Sequence, residues 1–392
     1  MTRIPTASTR RRLVVIVVPD FAPTIGGTVR QATLQARGMQ QLGYQVVVVT
    51  RRYDRGWPSR QEVDGLDVVR FGLPGRSGIA EKLSLLVLTW WFLRRRRLVA
   101  IVQTIMYSDY AAAAAVAGLR SRVAVVWAAH GEATDVLGPT ADRLRAFQRR
   151  LRAACLGGCR HVALTVAIRD ELVERGLPAA SVAVVPVPVD TERFRPPTPS
   201  ERAGVRADLG LTPDELVVVF TGRFVATKGV DRLIEAFAEL RHTAPASRLL
   251  LVGGGSPEEE ERVRSAAARW ELGDSLVVSG IVTDVERYLW ASDVFVLASV
   301  REGLSNSLVE AMATGLACIA GAEAGGDQVL YDGAGVIPRS SDVPDLARAL
   351  VTLNRDPAAR DRLARAAVER TRSFTPRRVA EQYEQLVLGA GA

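Results

Sequence analysis

Residues 216–237 read LVVVFTGRFVATKGVDRLIEAF. The apolar run 216–221 is typical of a parallel strand that is buried on both faces, since such a strand needs no polar side. A short basic loop follows, and from Gly229 to Leu240 the apolar residues recur at helical spacing. A strand, a loop and a helix in this order begin a doubly wound sheet, in which ligands bind at the carboxyl ends of the strands.

The same alternation extends along the chain in both directions. Further strands are predicted at 13–18, 45–50, 99–104, 123–128, 162–166, 182–185, 248–252, 276–279, 294–298 and 318–320. The proline-rich segment 186–199 divides them into two series and has the composition of a linker. The sequence therefore predicts an α/β protein of two doubly wound, Rossmann-like domains, with a ligand site in the cleft between them.

The composition excludes several classes of protein. With 392 residues, 48% of them hydrophobic and 24% charged, the chain is globular rather than disordered. Cys155, Cys159 and Cys318 are too few for a disulfide scaffold and suit a reducing cytoplasm, and three histidines without zinc-type spacing predict no metal site. The longest apolar stretch, 83–93, is half the roughly 20 residues that a membrane span needs. The apolar run near the start is predicted to be a strand rather than a signal peptide.

Positive charge is concentrated in the first half of the chain. Residues 1–190 contain 27 Lys+Arg and 14 Asp+Glu, whereas residues 191–392 contain 24 and 29. A basic half indicates an anionic partner, which would be an acidic membrane surface, a phosphorylated substrate or nucleic acid. Nucleic acid is disfavoured because the sequence has no nucleic-acid motif and its basic residues do not alternate with stacking aromatic residues.

Arg223 and Lys228 are the cations of the loop in the opening stretch. Two cations beside a helix N-terminus suit a diphosphate, and the alternative is a pair of solvated surface charges. The chain has 49 arginines but only two lysines, Lys82 and Lys228, so a cation without a special role would be expected to be an arginine. The lysine therefore favours a site that needs a compact ammonium group.

Two glutamates, Glu302 and Glu310, are separated by seven residues in REGLSNSLVEAMATG, residues 301–315. Glu302 lies in a loop after a predicted strand, where it could accept hydrogen bonds from sugar hydroxyls or simply interact with a helix dipole. Glu310 lies on the following helix, where it could hold the hydroxyls of a ribose or belong to a solvated face. The backbone amides where the loop meets the helix suit a phosphate.

Gly26-Gly27 and His130 follow predicted strands of the first half. Glycines between a strand and a helix allow the backbone to approach a phosphate, or they form a tight turn without a ligand. His130 ends a buried strand in VVWAAHGE and would face the predicted cleft, although a lone histidine is as often a structural residue.

Taken together, these segments resemble those of family 4 glycosyltransferases. The matching segments, in chain order, are IGGTVRQATLQARGMQQLGYQVVVVT, AAHGE, VDTERFRPP, TGRFVATKGVDRLIEAF, LLLVGGG, SGIVTDVERYLWASDVFVLAS and REGLSNSLVEAMATG. The resemblance covers nearly the whole chain and implies the GT-B fold. It implies an acceptor-side domain over 1–190, a donor-binding domain over 191–375, and a C-terminal helix over 376–392 that packs back on the first domain.

The resemblance also implies an activity. Enzymes of this family transfer a sugar from a nucleoside diphosphate sugar with retention at the anomeric carbon, and no metal is implied. By resemblance, Arg223 and Lys228 neutralise the diphosphate, with Gly26 and Gly27 close to it. Fixed cations at that place stabilise the charge that develops on the leaving group.

The remaining site residues are implied in the same way. Glu302 would contact hydroxyls of the donor sugar, Glu310 would contact the ribose, and His130 would lie beside the donor sugar near the reacting centre. The backbone amides that would help to hold the phosphates belong to Gly303, Leu304, Ser305 and Asn306.

The chain departs from the family pattern at three places. Val187 and Pro188 stand where Asn-Gly is frequent, and the loop GRFVATKG lacks the common proline before its lysine. Gln328 stands where a glutamate is frequent, in a slightly shortened glycine loop that the resemblance puts near the donor. The sugar and the nucleotide of the donor are therefore not predicted.

The acceptor is expected to be a glycan or a lipid-linked molecule of the cell envelope. Segment 81–102, EKLSLLVLTWWFLRRRRLVAIV, places tryptophans beside arginines, as at a lipid interface. It is equally consistent with a helix packed against the first sheet. The protein is thus expected in the cytoplasm, with peripheral attachment to an anionic membrane as a hypothesis. A nucleotide-sugar epimerase and an inactive nucleotide-sugar-binding protein are the alternative functions.

Overall fold

A computed structural model of the protein describes residues 13–18, 20–24, 26–72, 98–104, 124–129, 160–174, 176–300 and 302–388, with the strands at 98–104 and 124–129 described by their backbone alone. The described chain divides into two compact units. Unit 1 consists of the described residues within 1–188 and 376–392, and unit 2 consists of those within 189–375.

Unit 1 is built on an eight-stranded sheet. Its strands are β1 Leu13–Val17, β2 Gln45–Arg51, β3 Arg60–Val63, β4 Leu66–Phe71, β5 Leu98–Thr104, β6 Ala124–Ala129, β7 Arg160–Ala163 and β8 Val182–Val184. They are arranged in the order β3-β4-β2-β1-β5-β6-β7-β8, and all neighbours are parallel except the hairpin of β3 and β4. Asp64 and Gly65 form the hairpin turn, both with positive φ as a two-residue turn requires. The order of the strands reverses between β1 and β5.

Unit 2 is built on a five-stranded parallel sheet. Its strands are β9 Val217–Thr221, β10 Arg248–Val252, β11 Leu276–Gly280, β12 Val294–Leu297 and β13 Ala317–Ala320. They are arranged in the order β11-β10-β9-β12-β13, so the order reverses between β9 and β12. β12 and all of β9 except its last residue, Thr221, are apolar, and both strands are wholly buried, because helices cover both faces of such a sheet.

The described helices of four residues or more are α1 Gly27–Gln41, α2 Val166–Glu174, α3 Pro199–Asp208, α4 Val230–Arg241, α5 Pro257–Arg269, α6 Val285–Ala291, α7 Asn306–Thr314, α8 Gly326–Val329, α9 Val343–Arg355, α10 Pro357–Thr371 and α11 Pro376–Leu388. Val166, expected at the end of a strand, instead begins α2. The chain turns there because the Thr165 hydroxyl accepts a hydrogen bond from the Ile168 amide at 3.1 Å, as a helix cap does.

The last helix, α11, packs against α1 within unit 1. A Cβ atom at Gly38 on α1 would lie 2.1 Å from the carbonyl oxygen of Pro376, so the bare backbone of Gly38 permits this close approach. The Tyr44 hydroxyl donates to Glu384 at 2.6 Å, and Val379 and Tyr383 are buried in the core beside α1. The core of unit 1 therefore contains residues from both ends of the chain.

The start of unit 2 is held by a network of two arginines and one aspartate. Within the segment expected to be a linker, 186–199, helix α3 already begins at Pro199. From α3, Arg202 donates to Asp293 at 2.7 Å, and the nearly buried Arg206 lies 3.5 Å from the other carboxylate oxygen. That second oxygen also accepts the Val217 amide at 2.8 Å. Asp293 thereby joins α3 to the first residue of β9.

Candidate active site

The reversal of strand order in unit 2 places two loops side by side. The first loop, residues 222–229, follows β9 and is called the lysine loop here. The second, residues 298–305, follows β12 and is called the glutamate loop. Because β9 and β12 are parallel neighbours, both loops lie at the carboxyl edge of the sheet, where doubly wound sheets bind ligands. Arg223 and Lys228 belong to the lysine loop and Glu302 to the glutamate loop.

Lys228 and Glu302 form an ion pair between the two loops. The Lys228 ammonium donates to Oε1 of Glu302, and the Ser299 hydroxyl donates to Oε2 at 3.0 Å. The two side chains are 19% and 22% exposed, so solvent and ligands can still reach them. The carboxylate of Glu302 is thus fixed at both oxygens, and the compact ammonium is held beside it at the carboxyl edge of the sheet.

The backbones of the two loops are in direct contact at Gly229. This residue has φ of +65°, and a Cβ atom there would lie only 2.1 Å from the carbonyl oxygen of Ala298. The Val300 amide also donates to the Thr227 carbonyl at 3.0 Å. Gly229 is therefore required both by its conformation and by the closeness of the glutamate loop.

Arg223 is exposed on the lysine loop, next to an anchoring residue. Phe224 is fully buried, and its amide donates to the Gly254 carbonyl at 3.0 Å. Within the part of the chain that the structure describes, the Arg223 side chain makes no ion pair or hydrogen bond. Its guanidinium is therefore available to an anion at this edge.

The glutamate loop continues into α7, whose first-turn amides have no partner within the helix. Leu304 and Ser305 are nearly buried, and Asn306 begins the helix. The loop is supported by the glycine-rich segment after β13, since the Glu302 amide donates to the Glu323 carbonyl at 2.9 Å. A Cβ atom at Gly325 would lie 2.6 Å from the carbonyl oxygen of the glutamate-loop residue Gly303, so these segments also touch through their backbones.

Glu310 lies on the buried part of α7, where residues 308–314 are all buried. Its exposure is 5%, which excludes the alternative of a solvated helix face. A carboxylate at such depth is stable only with hydrogen-bond donors close to it. Glu310 is therefore a buried carboxylate in the interior of unit 2.

In unit 1, Gly26 lies between β1 and α1, and Gly27 is the first residue of α1. The strand order of the sheet in this unit reverses between β1 and its neighbour β5. Gly26 has an extended backbone with φ of 171°, and a Cβ atom there would meet no described atom within 4 Å. No turn or close approach within the described chain requires this glycine. His130 lies outside the described residues, directly after β6, and so do 81–97 of the segment 81–102.

Sequence reasoning missed two residues of this arrangement. Ser299 fixes the second oxygen of Glu302, and Arg232 on α4 donates to the Ala298 carbonyl at 2.7 Å. A serine after a strand and an arginine in a first helical turn are common, so no local signal distinguishes them.

The described residues contain neither a metal-binding cluster nor a membrane-spanning helix. In those ranges, no group of three or more His, Cys, Asp and Glu side chains is arranged to hold a metal ion. None of the helices described above combines the length and apolar character needed to cross a membrane.

Comparison with known proteins identifies the family. Residues 25–193 match the model of Glycosyltransferase Family 4, and residues 215–356 match that of Glycosyl transferases group 1. D-inositol 3-phosphate glycosyltransferase of Streptomyces bingchenggensis is 36% identical over 227 residues, which are 55% of this chain and 49% of that protein. The match thus spans about half the length of the first curated relatives.

Two further similarities extend over nearly the whole chain. Mannosylfructose-phosphate synthase of Agrobacterium fabrum is 28% identical over 95% of this chain and 88% of its own. HepE of Anabaena, solved in complex with UDP, superposes with a TM-score of 0.76 at 17% identity, covering 96% of this chain and 100% of that one. Both family models and this similarity of fold lead to one conclusion: the chain belongs to glycosyltransferase family 4 and has the GT-B fold of two Rossmann-like domains.

Proposed function

We propose that the protein is a retaining glycosyltransferase that uses a nucleoside diphosphate sugar and requires no metal. The observation that carries the proposal is the Lys228–Glu302 ion pair, with the exposed Arg223 on the same loop, at the carboxyl edge between β9 and β12. Two cations beside a fixed carboxylate suit a ligand that has a diphosphate next to a sugar. In the reaction, the bond from the anomeric carbon to the diphosphate oxygen breaks and a bond to an acceptor oxygen forms. The acceptor proton goes to the leaving phosphate.

Lys228 and Arg223 would stabilise the leaving group. Charge accumulates on the diphosphate as its bond to the sugar breaks, so cations that are already in place act more strongly on the transition state than on the bound donor. The ion pair with Glu302 holds the Lys228 ammonium in place before the donor binds. The first-turn amides of α7, with the residues 303–306, would add donors for the phosphates.

The carboxylates would orient the donor. Glu302 would accept hydrogen bonds from hydroxyls of the sugar, and the deeply placed Glu310 would accept those of the ribose. Gly26 and Gly27 are proposed to approach the diphosphate, and His130 to lie beside the sugar. These roles come from the family resemblance, and they are consistent with the finding that a Cβ atom at Gly26 would meet no described atom within 4 Å.

The acceptor is proposed to be an anionic glycan or lipid-linked molecule. Residues 1–190, the part proposed to bind the acceptor, have an excess of positive charge, which favours a negatively charged acceptor. Two relatives carry phosphate in the name of their acceptor or product, namely D-inositol 3-phosphate glycosyltransferase and mannosylfructose-phosphate synthase. Attachment to an anionic membrane through 81–102 is a further part of the proposal, and co-sedimentation with anionic vesicles at low salt tests it.

A transferase is favoured over the two alternatives. The presence of Arg223, Lys228, Glu302 and Glu310 together argues against a loss of catalysis. An epimerase would act on the donor without an acceptor. Measuring turnover of the donor with and without acceptor mixtures separates the three functions.

The first experiment is thermal unfolding of the protein with UDP-, GDP- and ADP-sugars, in the presence of EDTA. A donor at about one hundred times its Kd should stabilise the fold by about 2–3 kcal/mol. Lys228→Ala should abolish the shift, whereas Lys82→Ala, which removes the other lysine, should retain it. A normal shift in Lys228→Ala, or no shift with any nucleotide sugar, would contradict the proposal. Proton NMR of the first product then tests retention at the anomeric carbon.

A further inference from the structure

An arginine on helix α4, Arg232, connects the lysine loop with the glutamate loop. Arg232 lies in the first turn of α4, three residues after Gly229. Its Nη2 atom donates to the carbonyl of Ala298 at 2.7 Å, and Ala298 is the first residue of the glutamate loop. The helix that follows one loop therefore holds the start of the other. Arg232 lies outside both loops and has no place in the proposed donor contacts.

We infer that Arg232 is a positioning residue, which keeps Glu302 in register with Lys228 by holding the carbonyl of Ala298. The inference rests on the proposed function, because it states how two proposed donor-binding groups are kept at one distance. A hydrogen bond from a guanidinium is charge-assisted and therefore stronger than a bond between neutral groups. Ala298 is fully buried, so its backbone lies where such a bond is least exposed to competition from water.

Other connections between the loops limit how far Glu302 could move without Arg232. The Val300 amide still donates to the Thr227 carbonyl at 3.0 Å, and the Lys228–Glu302 ion pair remains. Loss of the Arg232 bond should thus displace the start of the glutamate loop rather than release it. A displacement of 1 Å can reduce activity by up to about a hundredfold, so a partial displacement is expected to cost about tenfold.

The effect should depend on which part of the donor is present. Glu302 is proposed to contact the sugar, whereas Lys228 and Arg223 are proposed to contact the diphosphate. Moving the glutamate loop should therefore weaken binding of the intact nucleotide sugar more than binding of the nucleoside diphosphate alone. A uniform loss of stability does not change the ratio of these two affinities.

The test compares three variants with the unmodified protein. Arg232→Met keeps the apolar stem and removes the donor, and Arg232→Lys keeps a charged donor. Arg241→Met is the matched control, since Arg241 is the last residue of the same helix and donates to the Leu272 carbonyl at 3.3 Å, away from both loops. Calorimetry measures the Kd of the UDP-, GDP- or ADP-sugar found to bind, and of its nucleoside diphosphate. Steady-state rates give kcat and the donor KM.

We expect Arg232→Met to lower kcat/KM for the nucleotide sugar about tenfold, to weaken binding of the nucleotide sugar more than that of the nucleoside diphosphate, and to leave the acceptor KM unchanged. Arg232→Lys should recover most of the loss, and Arg241→Met should bind like the unmodified protein. Normal binding by Arg232→Met overturns the inference, as does an equal loss for both ligands without recovery by Arg232→Lys. If Arg232→Met does not fold, Arg232→Gln is measured with the same expectations. Normal binding by Lys228→Ala would instead refute the proposed function itself.

Discussion

Replacing Gly229 with alanine should separate the cost of an unfavourable backbone conformation from the cost of a steric clash, because Gly210 provides a matched control. The two glycines have nearly the same positive φ, +65° and +66°. A Cβ atom at Gly229 would lie 2.1 Å from the carbonyl oxygen of Ala298, whereas one at Gly210 would meet no described atom within 4 Å.

The magnitudes follow from these two environments. A left-handed conformation costs a non-glycine residue about 1–2 kcal/mol, and both variants bear this cost. At position 229 the added carbon is also more than 1 Å closer to the oxygen than the roughly 3.3 Å of the closest ordinary C···O contacts. The two loops must separate to admit it, and such overpacking typically costs about 1–3 kcal/mol more. Gly210→Ala should therefore lose about 1–2 kcal/mol of stability, and Gly229→Ala about 2–5 kcal/mol.

Thermal unfolding measures the difference. For a domain of 150–250 residues, 1 kcal/mol lowers Tm by about 2–4 °C, so Gly229→Ala should unfold several degrees below Gly210→Ala. In calorimetric titrations at 20 °C, only Gly229→Ala should lose affinity for the nucleotide sugar, because only there does the glutamate loop move. Equal Tm values for the two variants, or unchanged donor affinity in Gly229→Ala, would refute the reasoning that the two loops are in contact through their backbones.

Three further predictions concern stability and chemistry elsewhere. Asp293→Ala leaves two partly buried arginines without their carboxylate and should cost about 3–5 kcal/mol in urea unfolding; a loss below about 1 kcal/mol, the value of an exposed pair, would contradict the network. The pKa of Glu201 is lowered to about 2, mainly by the hydrogen bond from the Arg195 guanidinium and secondly by that from the Thr198 amide. The charged Glu201 therefore stabilises the fold fully above its unfolded pKa of about 4.3, and this stabilisation is lost as the pH falls to about 2. The Tm difference between the protein and Glu201→Gln should shrink over that pH range, and a constant difference would contradict this role. Burial raises the pKa of the Cys318 thiol, so this thiol should react with a thiol reagent only after unfolding. The measurement uses the double variant Cys155→Ser, Cys159→Ser, in which Cys318 is the remaining cysteine, and rapid reaction of the folded protein would show that the thiol is accessible.

The sequence alone determined the fold class and the loops to which the proposed chemistry is assigned. Apolar runs such as LVVVFT and VFVLA are long enough to indicate buried parallel strands, and the strands β9 and β12 lie within one residue of the predicted bounds. The loops that follow them hold Arg223, Lys228 and Glu302, because position after a strand is a local property. A lysine in a chain whose cations are nearly all arginines is itself a signal, and it indicates the lysine loop from residue usage alone.

Shorter and less periodic elements were missed. The hairpin of β3 and β4 alternates only weakly between apolar and polar residues, and α3, which begins at the last residue of the proline-rich segment, has no long apolar stripe. Each of them is stabilised by contacts with distant residues, such as the bonds from Arg202 and Arg206 to Asp293. Local spacing contains no information about such partners.

Only the tertiary structure decided how the site is assembled. Lys228 and Glu302 are 74 residues apart in the chain, and they pair because the strand order places β9 beside β12. The same packing buries Glu310, requires glycine at 229, and brings Arg232 to the carbonyl of Ala298. These relations depend on which strands are neighbours and how closely their loops approach. A pattern of residues along the chain specifies the elements, but it does not specify the distances between them.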